Sequence, residues 1–416
     1  MKKAGLFLLL VYLFMLCVPS AFAQEDDLPA IKIYYASEAV LTQDVDVSAK
    51  VTVDGVSTFD AMLRLYSGGN DIIEKALPQK SLEIEGKDVR FTLYNDGVDG
   101  RNTKIISMVC CDLIEQSAVS VPIRAQEPVI VYLNDEYWGL YTRREHIEDA
   151  IARFEGLDDA TILNIANANC ATVYGNATGL KEVIRKLMNL NGSSDESQQI
   201  QNHLLDVESF LKCLALNAYF GNSNFYGSLF FYQINDGPWK CAMGDLAYSF
   251  TTAQDNSIAR FVSQGKGGIP HGDIAIIADQ LLKVPEYRDL FLAQMGALYQ
   301  TLTTPLMQAA ADAAYLRIAD ALPAHDDRWT SEFIQAAGDD MSYPVTDVAE
   351  AKLFHNYRVY RLRDKTMLTR PWYVFDSVQR ELQVTDDDME RYFGSLSPDL
   401  PEVPGDNWDS YKSANQ

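Results

Sequence analysis

A polar loop and an acidic residue flank a short hairpin pattern near the middle of the chain. Residues 222–224 (Asn-Ser-Asn) follow a helical pattern, a strand pair turns at residues 235–237, and Asp245 comes directly after the second strand. Phosphoryl-transfer sites combine a polar loop, which orients the attacking hydroxyl, with a carboxylate that holds a divalent metal ion. Because hard cations prefer anionic oxygen ligands, we interpret Asp245 as a candidate metal ligand. The alternative is a turn aspartate without a chemical role, since helix–loop–hairpin segments occur in many folds.

The elements that would position this segment differ between the two halves of the chain. Strand-like patterns dominate the first half, at residues 31–35, 45–53, 59–66, 78–84 and 89–94 and in a hairpin over residues 128–142. One helix is expected among them, over Arg101–Glu115. The boundary between the halves lies near residues 150–200, where residues 156–179 are polar and irregular and residues 180–190 have the pattern of a short helix. Helical periodicity then prevails, beginning at residues 206–220 with Asp206 as the N-cap. The patterns predict an α+β fold with a β-rich N-terminal lobe and a mainly helical C-terminal lobe.

The ends of the chain differ in composition from this central domain. Lys2 and Lys3 precede an apolar run, and Ala21-Phe22-Ala23 is a small-x-small cleavage site, so we expect export to the periplasm, cell surface or extracellular space. Later apolar runs are too short to span a membrane. The predicted divisions are a signal peptide over 1–23, an N-terminal β extension over 24–58, the main domain over 59–395 and a disordered tail over 396–416. Within the main domain, the N-lobe covers about 59–155 and the C-lobe about 200–395.

The composition limits the classes of partner and site. The chain has 58 acidic residues against 35 lysines and arginines, a net charge of −23, which argues against nucleic acid or an anionic membrane as partner. The cysteines that follow the leader are too few for a disulfide framework, and their odd number leaves at least one thiol free or paired with another chain. They also lack the spacing of a zinc site.

Several motifs in order resemble the spore-coat CotH kinase family, a group of atypical protein kinases. They read RLYSGGN, LPQKSLEIE, LYNDGVDGRN, VIVYLNDEYWGLYTRREHI, DVESFLKCLALNAYFGNSN and WKCAMGDLAYSF. The resemblance covers roughly residues 59 to 365. It implies a two-lobed kinase-like fold, the use of ATP with Mg²⁺ or Mn²⁺, and transfer of the γ-phosphate to serine or threonine of a protein substrate.

The resemblance also assigns roles to individual residues. Lys80 matches the strand lysine that neutralises nucleotide phosphates, and the alternative to this favoured role is an exposed strand lysine. Glu145 matches a glutamate that positions the nucleotide or this lysine, and its alternative is an acid favoured by the dipole at a helix start. Asp245 matches the first acid of an Asp-x-Asp pair that binds metal. Arg101 and Asn102 match an Arg-Asn pair, for which we favour a structural salt bridge or cap.

Three positions depart from the family pattern. Asn224 stands where a catalytic-loop aspartate is usual, and an amide cannot accept the proton of the substrate hydroxyl as a carboxylate does. Ser228 replaces a metal-binding asparagine and can offer only a weak oxygen ligand, while Ala247 replaces the second acid. Asp255 and Asp273 could supply a carboxylate if the loop after Phe250 folds back.

These observations lead to competing hypotheses. One is an exported kinase with catalytic residues Lys80 and Asn224, nucleotide contacts from Lys80 and Glu145, and metal ligands Asp245 and Ser228. Another is a degenerate pseudokinase that acts as a binding or scaffold protein of the envelope or coat. A carbohydrate- or surface-binding protein with exposed aromatics such as Trp138 has less support. Weaker candidates are a phosphate-binding loop at residues 265–268 and metal binding by His271 or His325.

Overall fold

A computed structural model describes residues 28–66, 77–158, 160–190, 200, 203–225, 227–262, 273–338, 343–394, 399–403, 405 and 407–415. The expected signal peptide over 1–23, the glycine-rich run at 265–268 and His271 lie outside these residues. Among the helices within these ranges, none has the length and apolar character that crossing a membrane requires. The cysteines within these ranges are all free thiols, at positions 110, 111, 170, 213 and 241.

The N-terminal part of the fold is a closed β-barrel. Its strands are Ala30–Tyr35 (β1), Val47–Val53 (β2), Ser57–Leu65 (β3), Leu82–Gly86 (β4), Arg90–Tyr94 (β5), Gln126–Leu133 (β6) and Glu136–Arg144 (β7). The order around the barrel is β1-β2-β3-β4-β5-β7-β6, and only the β1–β6 pair that closes it is parallel. Alternating side chains such as Ile33, Val51 and Leu63 point inward and are fully buried, because successive residues of a strand face opposite sides.

Closure of the barrel changes one boundary that the sequence suggested. Residues 24–58 were expected to form an extension, but β1 pairs with both β2 and β6, and its Ile31 and Ile33 lie in the barrel core. Without β1, β2 and β6 would each expose an unpaired edge. The described part of this region, residues 28–58, therefore belongs to the N-terminal lobe.

A second, four-stranded sheet lies in the C-terminal half. Its strands are Leu163–Asn167 (β8), Thr172–Tyr174 (β9), Leu229–Ile234 (β10) and Lys240–Met243 (β11), in the order β11-β10-β8-β9. The β10–β11 hairpin turns at Asn235 and Asp236, whose φ angles of 48° and 58° match the left-handed conformation of a type I′ turn. This hairpin ends two residues before Asp245.

Helices surround the second sheet and connect it to the barrel. They are Ile106–Gln116 (α1), Ile147–Glu155 (α2), Leu180–Met188 (α3), Val207–Phe220 (α4), Ser257–Val262 (α5), Asp273–Leu282 (α6), Pro285–Thr301 (α7), Thr304–Ile318 (α8), Leu322–Ala337 (α9), Val348–Arg361 (α10), Leu368–Glu381 (α11), Asp386–Phe393 (α12) and Trp408–Asn415 (α13). A π-helical turn, Leu362–Met367, joins α10 to α11. Helix α4 runs through the main core, where Leu214 and Phe220 are fully buried. The chain is therefore α+β, as the sequence predicted.

The end of the chain also differs from expectation. A disordered tail was expected from residue 396, but α13 packs against α10 through aromatic side chains. The Trp408 ring lies 5.3 Å from the rings of Phe354 and Tyr357, and the Tyr411 ring lies 5.2 Å from that of Tyr357. Trp408 and Tyr411 are three residues apart and share one helix face. The disorder prediction rested on the high content of Pro, Asp and Ser and overlooked this short amphipathic pattern.

Candidate functional site

Asp245 lies where the ends of three strands converge. Its Oδ2 accepts a hydrogen bond of 3.1 Å from the Tyr94 hydroxyl at the end of β5, and its Oδ1 lies 3.8 Å from a guanidinium nitrogen of Arg144 at the end of β7. The backbone N–H of Ala247 also donates to Oδ1, at 3.0 Å. The side chain keeps 16% of its surface exposed. The carboxylate is thus held from the barrel side while remaining open to a ligand.

Arg144 places a fixed positive charge beside this carboxylate. Its guanidinium carbon lies 3.6 Å from the centroid of the Tyr94 ring, and only 4% of its side chain is exposed. Cation–π stacking is strongest when water is excluded from the pair. Tyr94 and Arg144 were missed at the sequence level, although both stand inside the quoted motifs, next to Asn95 and Glu145. Both residues act through contacts with Asp245, which lies about 100 to 150 positions further along the chain, so local patterns could not identify them.

A buried ion pair fixes the loop that follows Tyr94. Asp96 Oδ1 accepts a 2.6 Å hydrogen bond from the Thr142 hydroxyl, and its Oδ2 lies 3.2 Å from Lys104 Nζ. Burial raises the pKa of Asp96, while Lys104 and Thr142 oppose the shift by stabilising the carboxylate. The ion pair lies within the loop after β5, and the Thr142 hydrogen bond connects this loop to β7, so the ends of the two strands that contact Asp245 are joined.

Lys80 lies at the same end of the barrel. Asn95 connects to both of its neighbours, because its Nδ2 donates to the Gln79 carbonyl at 2.8 Å and its backbone N–H donates to Ser81 Oγ at 3.0 Å. The Lys80 carbonyl itself accepts a 2.9 Å bond from the Tyr141 hydroxyl. The lysine precedes β4 rather than lying within it, and burial lowers the pKa of its ammonium group. Because Asn95 directly follows Tyr94, the backbone around Lys80 is connected to the strand end that contacts Asp245, and a role for the Lys80 ammonium group in the site stays a prediction.

The polar loop of residues 222–224 lies against Asp245, as the order of elements suggested. Helix α4 ends at Gly221 with a left-handed φ of 59°, and the chain then turns so that Asn222 Nδ2 donates to the Asp245 carbonyl at 3.3 Å. Asn222 Oδ1 accepts from the N–H of Asn224, and Asn224 Oδ1 accepts from the N–H of Gly227. The side chain of Asn224 thus helps to hold the loop in shape.

Arg370 fixes the end of α4, which leads into this loop. Its fully buried guanidinium donates to the Tyr219 carbonyl at 2.7 Å, to the Ala253 carbonyl at 2.8 Å, and to the carbonyls of Ala218 and Asp255. Burial lowers the pKa of Arg370 to about 10. The arginine therefore joins the end of α4 to the segment that follows Phe250.

Ser228 and Glu145 have contacts away from the Asp245 carboxylate. The Ser228 hydroxyl is fully buried, 2.8 Å from Asn217 Oδ1 and 2.9 Å from the Phe225 carbonyl. Glu145 accepts a 2.9 Å bond from the Ala125 N–H and forms an ion pair of 2.9 Å with Arg153. Their proposed metal and nucleotide roles stay predictions, because reaching a ligand would require these side chains to exchange the contacts they have.

The loop after Phe250 does fold back toward residues 222–224. Arg260 donates to the Asn222 carbonyl at 3.5 Å and forms an ion pair with Asp255. Asp255 also accepts a 2.6 Å bond from the Ser257 hydroxyl. The carboxylate of Asp255 is therefore near the polar loop, and its oxygens contact Arg260 and Ser257.

The donor set around Asp245 suits a metal ion that arrives with a nucleotide. Across the described ranges, no group of three or more His, Cys, Asp or Glu side chains could hold a metal ion alone. Mg²⁺ is commonly held by one or two carboxylates together with substrate phosphates and water. A single, partly exposed carboxylate beside a polar loop fits that pattern, and Asp245 is the residue that would hold the ion. Ala247 offers no ligand atom.

The barrel and the helical C-terminal half define an α+β protein with an aspartate beside a polar loop. The family model described as CotH kinase protein matches residues 69–359, most of the chain. The chain therefore belongs to the CotH kinase protein family. None of the curated proteins matches the chain.

Proposed function

We propose that this protein is an exported kinase that transfers the γ-phosphate of ATP to serine or threonine of a protein substrate, using Mg²⁺ or Mn²⁺. The single observation that carries the proposal is the position of Asp245. Its carboxylate is held by Tyr94 and Arg144, adjoins the loop of residues 222–224, and lies at the barrel end that carries Lys80. Family membership supports the same chemistry.

Each residue would contribute positioning or charge. Asp245 holds the metal ion, which when bound neutralises the phosphate charge, and Lys80 offers an ammonium group to the phosphate oxygens. Arg144 adds a fixed positive charge beside the carboxylate and limits its rotation. Phosphoryl transfer depends mainly on such positioning and electrostatic stabilisation. The proposed site can therefore act without a full set of family residues.

Asn224 should make phosphate transfer slow. Its amide can orient a substrate hydroxyl but cannot take its proton, so the proton would pass to water or to a phosphate oxygen. General-base catalysis typically contributes about 10²–10⁴-fold. We therefore propose a slow kinase rather than a fast one.

A pseudokinase of the envelope or coat is the second candidate. The observation that favours it is the combination of Asn224, the alanine at position 247 and the fully buried hydroxyl of Ser228. In that case the same surface would bind a nucleotide or a partner protein without transferring phosphate. Export, which both candidates share, is proposed from the leader-like pattern at residues 1–23.

A thermal-shift titration with ATP and Mn²⁺ or Mg²⁺ tests nucleotide binding. We expect the wild type to be stabilised, since a ligand that binds only the folded state raises the melting temperature. Asp245→Asn and Lys80→Met should each lose most of this shift. Asp236→Asn, at the turn of the same hairpin, and Lys87→Met, beyond β4, are matched controls that should keep it.

Mass spectrometry of candidate protein substrates then separates the two functions. Phosphate incorporation that requires Asp245 supports the kinase, whereas nucleotide binding without incorporation selects the pseudokinase. A wild-type protein that shows no nucleotide-dependent stabilisation would exclude the kinase.

A further inference from the structure

Arg124 is a half-buried arginine that lies two residues before β6. Its guanidinium carbon lies 5.4 Å from the centroid of the Phe230 ring on β10. Its Nε is buried, and among the residues that the structure describes no hydrogen-bond acceptor reaches it. A buried donor without an acceptor costs free energy, because its hydrogen bonds to water are lost on folding. The protein therefore keeps a donor that a bound ligand could satisfy.

The pairing of β6 with β7 places Arg124 on the same face as Arg144. Gln126 is the direct partner of Arg144 in this antiparallel ladder. The Glu145 N–H donates to the Ala125 carbonyl at 2.9 Å, so the pairing continues one residue beyond the start of β6. Direct partners in an antiparallel ladder share a face, and so do alternate residues of one strand. Arg124 therefore lies on the face where Arg144 approaches the candidate metal ligand to 3.8 Å.

The Phe230 ring gives independent support for this position. A Cβ atom at Gly244 would collide with Cε2 of Phe230, so the ring packs directly against the residue that precedes Asp245. The Gly244 N–H donates to the Ser228 carbonyl, which keeps the glycine in place. The guanidinium of Arg124 lies over the same ring. The strand pairing and the ring contact thus both place Arg124 beside the candidate metal site.

The acidic side chains of the adjoining segments are paired with other arginines. Glu145 forms an ion pair of 2.9 Å with Arg153. Asp245 lies 3.8 Å from a guanidinium nitrogen of Arg144. Neither carboxylate forms an ion pair with Arg124, so its positive charge is available to an external anion. The ligand that Arg124 suits is therefore one that brings anionic oxygens to the region of Asp245.

We propose that Arg124 binds a phosphate group of the nucleotide whose metal ion Asp245 holds. This role rests on the proposed function, because it requires a nucleotide at Asp245. A guanidinium group is always charged, and its planar fork of N–H donors matches the spacing of phosphate oxygens. Stacking on Phe230 restrains the fork before the ligand arrives, so less conformational freedom is lost on binding. The adenine base offers no anionic oxygen, so Arg124 recognises the phosphate part of the nucleotide.

The test compares ATP, inorganic tripolyphosphate and adenosine in thermal-shift titrations with Mn²⁺ at constant ionic strength. Arg124→Gln should weaken the binding of ATP and of tripolyphosphate by about tenfold each. Its response to adenosine, which carries no phosphate, should equal that of the wild type. Arg124→Lys should recover part of the lost affinity, because lysine keeps the charge but not the planar fork. Arg143→Gln is the matched control, since Arg143 pairs with Glu127 and lies over Phe91, and it should bind all three ligands as the wild type does.

A second neutral variant and an unfolding measurement separate binding from folding. Arg124→Met keeps an apolar contact with Phe230 and should show the same loss as Arg124→Gln, while both variants unfold cooperatively. Wild-type affinity for ATP and tripolyphosphate in either folded variant would overturn the role of Arg124 and leave the proposed kinase intact. An equal loss of adenosine binding would also overturn it, because phosphate would then not be what the arginine recognises. Selective loss of the two phosphate ligands, in a protein whose wild type transfers no phosphate, would support this role and remove the kinase.

Discussion

The Tyr94 hydroxyl donates a hydrogen bond of 3.1 Å to Oδ2 of Asp245 and so joins the end of the barrel strand β5 to the loop after β11. Arg144, stacked on the same tyrosine ring, approaches the other carboxylate oxygen. The orientation of the candidate metal ligand is therefore set by the N-terminal lobe, while its backbone belongs to the C-terminal half. A shift of the barrel strands relative to the loop after β11 would therefore change the contacts of Asp245 with Tyr94 and Arg144.

Tyr94→Phe should weaken nucleotide and metal binding, and it should also lower the free energy of unfolding by up to about 1.5–3 kcal/mol, because the lost hydroxyl bonds to a carboxylate. The ring that supports Arg144 remains, and only the hydroxyl that restrains Asp245 is lost. A hydrogen bond to a charged group contributes about 1.5–3 kcal/mol, so we expect the affinity for Mn²⁺ with ATP to fall about tenfold or somewhat more. Titrations followed by thermal shift measure this.

Tyr34→Phe is the control for this prediction. Tyr34 also donates to a carboxylate, that of Asp135 at 2.7 Å, but at an exposed position on the barrel. Its removal should leave the nucleotide response unchanged. Equal nucleotide responses in Tyr94→Phe and the wild type would show that the tyrosine does not position Asp245.

Ser228→Ala distinguishes a structural hydroxyl from a metal ligand. The buried hydroxyl lies within hydrogen-bond distance of Asn217 and Phe225, so its removal should lower the free energy of unfolding by about 1–3 kcal/mol. If Ser228 is not a ligand, the apparent affinity for Mn²⁺ in the presence of ATP should stay the same. Denaturant unfolding gives the first quantity and metal titration the second. A tenfold loss of metal affinity would instead support the role that the family pattern implies.

His325 should make the protein less stable in mildly acidic solution. Its Nδ1 accepts a 3.2 Å bond from the N–H of Leu140, and burial together with Lys104, His355 and Arg328 lowers its pKa well below 6.5. Below about pH 6.5 the unfolded state binds a proton that the folded state does not, so stability falls as pH falls. One such group contributes at most about 1.4 kcal/mol per pH unit.

His325→Asn tests this pH dependence, because an asparagine oxygen can accept the same N–H. Between about pH 6.5 and pH 5, its free energy of unfolding should decline less steeply than that of the wild type. His203→Asn, which alters an exposed histidine, controls for loss of a histidine as such. Parallel slopes for His325→Asn and the wild type would contradict the prediction.

Local patterns predicted the elements well because their causes are local. Asp206 was expected to cap a helix, and its side chain accepts the N–H of Ser209 at the start of α4. The Asn134-Asp135 turn was expected between two strands, and both residues have the positive φ angles of a tight hairpin. The adjacency of Asp245 to the loop of residues 222–224 followed from the order of these elements.

Long-range contacts could not be predicted in this way. The parallel pairing of β1 with β6 joins residues about 100 positions apart, and it turns the expected extension into part of the barrel. The roles of Tyr94 and Arg144 could not be predicted either, because their partner Asp245 is known only once the arrangement of the strands is known. Ser228 is a different case, because the family resemblance suggests a metal ligand, while its fully buried hydroxyl lies 2.8 Å from Asn217 Oδ1, and its metal role stays a prediction.

Asn224→Asp should increase phosphate transfer if the proposed kinase reaction is correct. The side-chain oxygen that accepts the Gly227 N–H at 3.2 Å is kept, so the loop should retain its shape. The new carboxylate could accept the proton of the substrate hydroxyl, which corresponds to a gain of about 10²-fold or more in rate. Phosphate incorporation measured by mass spectrometry, compared with Asn224→Ala and with the double variant Asn224→Asp/Asp245→Asn, provides the readout. A gain that disappears in the double variant would show that both residues act in one site, whereas an unchanged rate would separate Asn224 from the chemistry.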